Sequence, residues 1–147
     1  MIPITSSIEI DRPPDEVFAY VDDLDRHIEW QDAIISARKE PSGPTRVGTR
    51  NTELRRIPGG PREIVSEIVE HDPPRRIVAR GLNGPIRATI TVTVAELDNG
   101  ARSKLTFELA LKGIGIGRLF AVFAGRSARR QVPRDLEKLK KFLEVRT

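Results

Sequence analysis

Apolar and polar residues alternate along most of the chain, and a helical stripe replaces the alternation over the last third. Ile2, Ile4, Ile8 and Ile10 share one face of residues 2–10, with Thr5, Ser7 and Glu9 on the other, which predicts a half-buried strand. The clearest run is 85–96, where Ile86, Ala88, Ile90, Val92 and Val94 alternate with Arg87, Thr89, Thr91 and Thr93. Residues 102–112 repeat it with Leu105, Phe107, Leu109 and Leu111. Shorter strands are expected at 33–39, 47–57, 62–71 and 76–81, separated by turn residues at 41–45, 58–61 and 72–74. Asn83–Gly84 and Asn99–Gly100 are hairpin signals. Between the first two strands, Pro14 with Asp15 and Glu16 suits a helix start. A second short helix, capped by Asp22, Asp23 or Asp25, runs towards Trp30.

From 114 to 146 the spacing becomes three and four: Ile116, Leu119, Phe120 and Phe123, then Val132, Leu136, Leu139 and Leu143. This predicts one long helix of about 40–45 Å. Pro133 sits where the stripe changes phase, and a kink is expected there. The part beyond it should clamp onto strands six and seven. The part before it, bracketed by Gly113, Gly115, Gly117 and Gly125, should form an adjustable roof. The predicted class is α+β: a curved seven-stranded antiparallel sheet wrapped around a long C-terminal helix, with two short helices between strands 1 and 2. At 147 residues a single domain over 1–147 is expected.

Register arithmetic extends the pattern to the interior. Two-residue turns place Val94 opposite Leu105 and Ile77 opposite Ile90, so Ile77 and Ala79 face inward. Carrying the same parity through the remaining turns places Val69 opposite Ile77, Thr52 opposite Glu67 and Arg50 opposite Val69. The inner face would then hold Val65, Glu67 and Val69 on one strand and Arg50, Thr52 and Leu54 on the next. Arg50 and Glu67 would be diagonal neighbours able to pair. In an apolar pocket such groups would orient a ligand; at a wet open end of the sheet they would simply be solvated. A slipped register would substitute Asn51, Glu53, Ser66 and Arg80.

Composition narrows the chemistry. The chain has no cysteine, which excludes disulfides, thiolate metal sites and Cys nucleophiles. Its first residues lack a basic and apolar leader pattern, and no run approaches a membrane span, so a soluble cytoplasmic protein is expected. The net charge is only +4, with scattered arginines and 5% aromatics, so no nucleic-acid partner is expected. His27 and His71 stand in no metal motif, and no GxSxG elbow occurs. No metal, cofactor or catalytic residue is assigned. The glycines at 113, 115 and 117 lack the Lys-Ser/Thr ending of a phosphate loop and read as a joint. Arg126, Arg129, Arg130 and Arg134 cluster in mid-helix, as a solvated face or a transient membrane-surface contact.

The residues IEIDRPPDEVFAYVDD, then Trp30, then VGTR at 47–50 and IVEHDPPRRIV at 68–78, resemble the START-like, Bet v 1-like superfamily. Within it, the chain is most similar to the polyketide cyclase/dehydrase and lipid-transport branch. The resemblance covers nearly the whole chain and implies the helix-grip fold, with a hydrophobic cavity between sheet and C-terminal helix. It implies a small hydrophobic ligand such as a lipid or polyketide. Trp30 is similar to the Trp that closes the second short helix in that family.

The expected ligand-binding set is therefore Trp30, Arg50, Thr52, Leu54, Glu67, Val69, Ile77, Ile90, Val92, Phe107, Leu109, Leu119, Phe120 and Phe123. The leading reading is a binder or carrier, monomeric or homodimeric. The second is a cyclase/dehydratase-type enzyme with Glu67 as general acid or base. The third is a toxin-like or regulatory interaction module acting through the basic helix face.

Overall fold

The computed structural model describes residues 2–57 and 59–145. The side chain of Ile2, the turn residue Pro58, the expected helix end at residue 146, and residues 1 and 147 of the expected domain lie outside the described residues. Seven strands are present: β1 (Ile2–Ile10), β2 (Ile34–Glu40), β3 (Arg50–Ile57), β4 (Gly60–Asp72), β5 (Arg76–Gly81), β6 (Ile86–Leu97) and β7 (Arg102–Gly113). They form one antiparallel sheet in the order β1-β7-β6-β5-β4-β3-β2. Helices α1 (Pro14–Asp22) and α2 (His27–Trp30), joined by a 3-10 turn at Leu24–Arg26, connect β1 to β2. Helix α3 (Gly117–Val145) follows the last strand.

Each element has a local cause. Pro14 opens α1, where a missing N–H costs nothing, and Asp15 and Glu16 sit at its positive end. Its apolar side, Val17, Phe18, Tyr20 and Val21, is buried against the sheet. Helix α3 runs 29 residues, about 43 Å, through Pro133. Beyond residue 131 it buries Val132, Leu136, Leu139 and Leu143. The helix as a whole packs chiefly on β1 and β7, and less on β6; its C-terminal end is tied to β1 by Lys140 Nζ, which donates to Glu9 O at 2.7 Å. Gly117 starts the helix against the β5–β6 turn; a Cβ there would fall on the Pro85 carbonyl oxygen.

The core joins both helical layers to the sheet. Ile10, Phe18, Trp30, Ile68, Val92, Leu105, Leu136 and Leu139 belong to one buried cluster. Burial of a Leu- or Phe-sized side chain contributes roughly 1.5–3 kcal/mol, so this cluster is the main source of stability.

The register agrees with expectation at one hairpin and departs at three. Val94 stands opposite Leu105 as read from the sequence. Ile77 stands opposite Val92 instead of Ile90. The Asn83 side chain explains the shift: it accepts from Val65 N at 2.9 Å and donates to Glu63 O at 3.0 Å, so it clamps β4 and does not form a two-residue turn. A two-residue shift leaves the faces unchanged. The β3–β4 hairpin also shifts by two, placing Arg50 opposite Glu67 and Thr52 opposite Val65.

The decisive departure is a bulge in β4. Ile77 faces His71, but Ala79 faces Ile68, so three steps on β4 match two on β5. One extra residue reverses which side chains point inward from there on. The reversal propagates through β3.

Candidate functional site

The sheet's concave face, α1, α2 and the 3-10 turn between them enclose a cavity of about 60 Å³. Its walls are mainly apolar: Val21, Leu24 and Trp30 from the helical side, and Ile68, Ile77, Ile90, Val92 and Phe107 from the sheet. Its polar end is supplied by β3, with Asn51, Glu53 and Arg55, together with Ser66 and Gln31. No residue of α3 lines it.

The expected site residues divide accordingly. Trp30, Ile77, Ile90, Val92 and Phe107 come together at the cavity. Leu109 is half-buried and packs on the core beside it. Arg50, Thr52, Leu54 and Glu67 are corrected to the outer face by the β4 bulge, and Val69 lies in the bulge itself. Arg50 and Glu67 do pair, with Nε 3.2 Å from Oε1, but on the solvent side. Glu67 is therefore removed from the acid–base role. Leu119, Phe120 and Phe123 are corrected as well: they are exposed by 71%, 54% and 59% and point away from the sheet. The small residues Gly117, Ala121 and Gly125 face inward in their place.

The slipped register foreshadowed three of the polar residues, Asn51, Glu53 and Ser66. It failed for Arg80, which stays outside opposite Glu67. Arg55 and Gln31 were missed. Arg55 follows from Asn51 and Glu53 by the two-residue period once the face is known.

The polar end is a short relay of hydrogen bonds. Asn51 Nδ2 donates to Glu53 Oε2 at 3.1 Å. Arg55 Nη1 donates to Glu53 Oε1 at 2.9 Å and to Gln31 Oε1 at 2.8 Å. Asn51 and Glu53 are buried, so the guanidinium offsets a carboxylate charge that would otherwise be costly to desolvate. Among the described residues two buried side-chain polar atoms remain without partners: Trp30 Nε1 and Asn51 Oδ1. The Asn51 amide cannot be turned to relieve its oxygen, because its nitrogen must face the Glu53 carboxylate. Both residues line the cavity, so its wall residues carry one unused donor and one unused acceptor.

Helix α3 closes the polar end from behind. Asp135 is buried in it and accepts from Gln131 Nε2 at 2.8 Å. Burial pushes the Asp135 carboxyl above its ordinary range, while the Gln131 bond, the Asp32 backbone N–H and the nearby Arg55 charge act the other way. Lys138 Nζ donates to Asp32 Oδ1 at 2.6 Å and holds that carboxyl below its ordinary value. On the far side, His71 Nε2 lies 2.8 Å from Asp22 Oδ1 and beside the Phe18 ring. Both histidines are thereby tied to α1, since His27 Nε2 is also 2.6 Å from Val21 O. Among the described residues no group of His, Asp and Glu is arranged to hold a metal ion.

A curved antiparallel sheet gripping a C-terminal helix, with two short helices after the first strand, defines the START-like helix-grip class. The chain belongs to the polyketide cyclase/dehydrase and lipid transport family, whose profile matches residues 1–144. No curated protein matches the sequence. Among solved structures, it is similar to the di-domain ARO/CYC BexL from the BE-7585A biosynthetic pathway, at 21% identity and a TM-score of 0.76. That match covers 99% of this chain and 47% of the other, so this chain spans about half the di-domain protein. The Zhui aromatase/cyclase from Streptomyces sp. R1128 is 16% identical with a TM-score of 0.78, covering 97% and 93% of the two chains. A START superfamily protein from Mycobacterium smegmatis is 14% identical with a TM-score of 0.70, covering 97% and 94%. At these identities the likeness carries the fold alone.

Proposed function

We propose that the protein binds a small hydrophobic ligand carrying one neutral polar group, in the cavity between the concave sheet and α1–α2. The observation that supports this most is the pairing of apolar walls with an unused donor, Trp30 Nε1, and an unused acceptor, Asn51 Oδ1. A hydroxyl has both an acceptor and a donor to offer such groups, whereas a purely apolar molecule has neither. A carboxylate would meet the lone pairs of Asn51 Oδ1 and the negative charge of Glu53. At about 60 Å³ the cavity takes only a few heavy atoms as it stands, against roughly 300–1,000 Å³ for a drug-sized ligand. Larger ligands require the helical side to move outward.

Trp30 is the only tryptophan, so its indole N–H gives one NMR signal and its ring one fluorescence source. Titration with phenol, toluene and benzoate should move the indole N–H signal most for phenol. If neither phenol nor toluene perturbs that signal, and native mass spectrometry finds no co-purified molecule, the binding reading fails.

One observation favours a second reading, an enzyme of the cyclase/dehydratase type. Glu53 is a buried carboxylate at the cavity's polar end, and the adjacent Arg55 guanidinium is a cation of the kind that stabilises an enolate oxygen. Glu53→Gln would then abolish turnover of a poly-β-ketone that the wild-type protein converts. A wild-type protein that binds such a ketone without converting it removes this reading.

A further inference from the structure

We infer that the N-terminal half of α3 docks on an anionic membrane surface, with its apolar tip inserted and its arginines at the phosphate level. On the helix, Leu119, Phe123, Arg126 and Arg130 fall at i, i+4, i+7 and i+11, one stripe along the side opposite the buried Gly117, Ala121 and Gly125. The outward stripe is thus apolar for its first turns and basic for the next. Leu119 and Phe123 are joined by exposed Ile114, Ile116, Phe120 and Val122, so the patch is contiguous around the strand-to-helix joint. Six large apolar side chains in ten residues is more than scattered surface residues account for.

Charge identifies the occupant. No Asp or Glu occurs from residue 113 to 134, while Arg118, Arg126, Arg129, Arg130 and Arg134 are all exposed there. Among the described residues none of these five has an ion-pair partner; on the sheet Arg50, Arg76 and Arg102 pair with carboxylates, while Arg62, Arg80 and Arg87 do not. The complementary surface is therefore apolar within and anionic at its border. A second copy set ridge to ridge does not supply that border, because residues 113 to 134 hold no Asp or Glu to offer the arginines. Six exposed apolar side chains followed by arginines, with no acidic residue among them, match the apolar interior and anionic border of a lipid surface.

The dimensions agree. Along the axis Arg126 lies about 5 Å and Arg130 about 10 Å beyond Phe123. An interfacial helix buries its apolar side roughly 5–10 Å into the boundary between headgroups and acyl chains. A tilt with the Gly117 end down places Phe120 and Phe123 in the acyl region and the guanidinium groups at the phosphates. This inference is independent of what occupies the cavity.

Co-sedimentation with phosphatidylcholine vesicles, and with vesicles containing phosphatidylglycerol, tests it. The wild-type chain should pellet with the anionic vesicles, show hydrogen-exchange protection over 114–130 when bound, and be partly released by salt. Arg126→Gln with Arg130→Gln should weaken binding about 30-fold, from ~1 kcal/mol per arginine near an anionic surface. Leu119→Ser with Phe123→Ser should abolish the fraction that survives high salt. All four side chains are exposed, so both variants should keep the wild-type circular dichroism and melting temperature. The inference is overturned if the wild type ignores anionic vesicles, or if protection falls outside 114–130. It is equally overturned if the chain forms a lipid-free dimer that the Leu119/Phe123 variant dissociates, or binds an acidic protein while ignoring vesicles.

Discussion

Asn51 gives its side-chain amide to Glu53 at 3.1 Å inside the buried end of the cavity, and this one bond fixes the direction of the amide. It follows that Asn51 Oδ1 is held without a partner. Asn51→Asp would place a second carboxylate against Glu53 and should destabilise the fold by about 1–3 kcal/mol, the penalty of a buried unsatisfied group. Asn51→Leu removes the idle acceptor along with the donor to Glu53 and should cost less. Urea unfolding at neutral pH would order them. The Leu variant should also weaken the preference for phenol over toluene, since only the Trp30 donor is left.

Helix α3 should divide sharply under substitution. Leu139 is fully buried, while Leu119 is 71% exposed. Leu139→Ala is expected to cost about 2–5 kcal/mol. Leu119→Ala, the same chemical change, should stay within about 0.5 kcal/mol. Equal losses in chemical denaturation would mean that the first half of the helix packs with its large residues inward.

Asp135 sets a pH dependence of definite sign. Its folded-state value lies above the ordinary 3.8, chiefly through burial. The folded protein therefore holds the proton more tightly than the unfolded chain, and stability falls as pH rises from about the ordinary value through the raised one. Asp135→Asn removes this dependence while keeping an acceptor for Gln131. The variant should gain on the wild type between acid and neutral pH. Asp32 and Glu144, both lowered, act oppositely: their contributions are present above their ordinary values and are lost on acidification. Denaturant midpoints measured across that range for Asp135→Asn and Lys138→Gln should move in opposite directions relative to wild type.

Gly117 reverses a helix-propensity rule. Alanine is ordinarily better than glycine in a helix by about 1 kcal/mol. Here the new methyl would occupy the place of the Pro85 carbonyl oxygen, so Gly117→Ala should destabilise by about 1–3 kcal/mol as an overpacked site does. A raised melting temperature in that variant would show that the joint between β7 and α3 has room to give.

The elements themselves were legible because their causes are local. Alternation marked every strand to within a few residues, and Pro14, Asn83, Gly84 and Gly100 punctuated the chain where expected. Even the Val94–Leu105 pairing could be read, since a short hairpin binds its two strands by nearest neighbours. The family resemblance added the fold's closure, which alternation alone does not dictate.

What the sequence determined by itself was each strand's two faces and each helix's stripe. Which face is inside was decided by tertiary structure. Strand parity is carried across a sheet by counting residues, and one bulged residue between Ile68 and His71 reverses it. That reversal exchanged Arg50, Thr52 and Glu67 for Asn51, Glu53 and Ser66 at the cavity. The same holds for α3, whose apolar residues leave two stripes open to the core over its first half. At Gly117 the helix meets the β5–β6 turn so closely that a Cβ would fall on the Pro85 carbonyl oxygen. The helix start is thereby fixed with Gly117, Ala121 and Gly125 inward, and Leu119, Phe120 and Phe123 fall on the outer side.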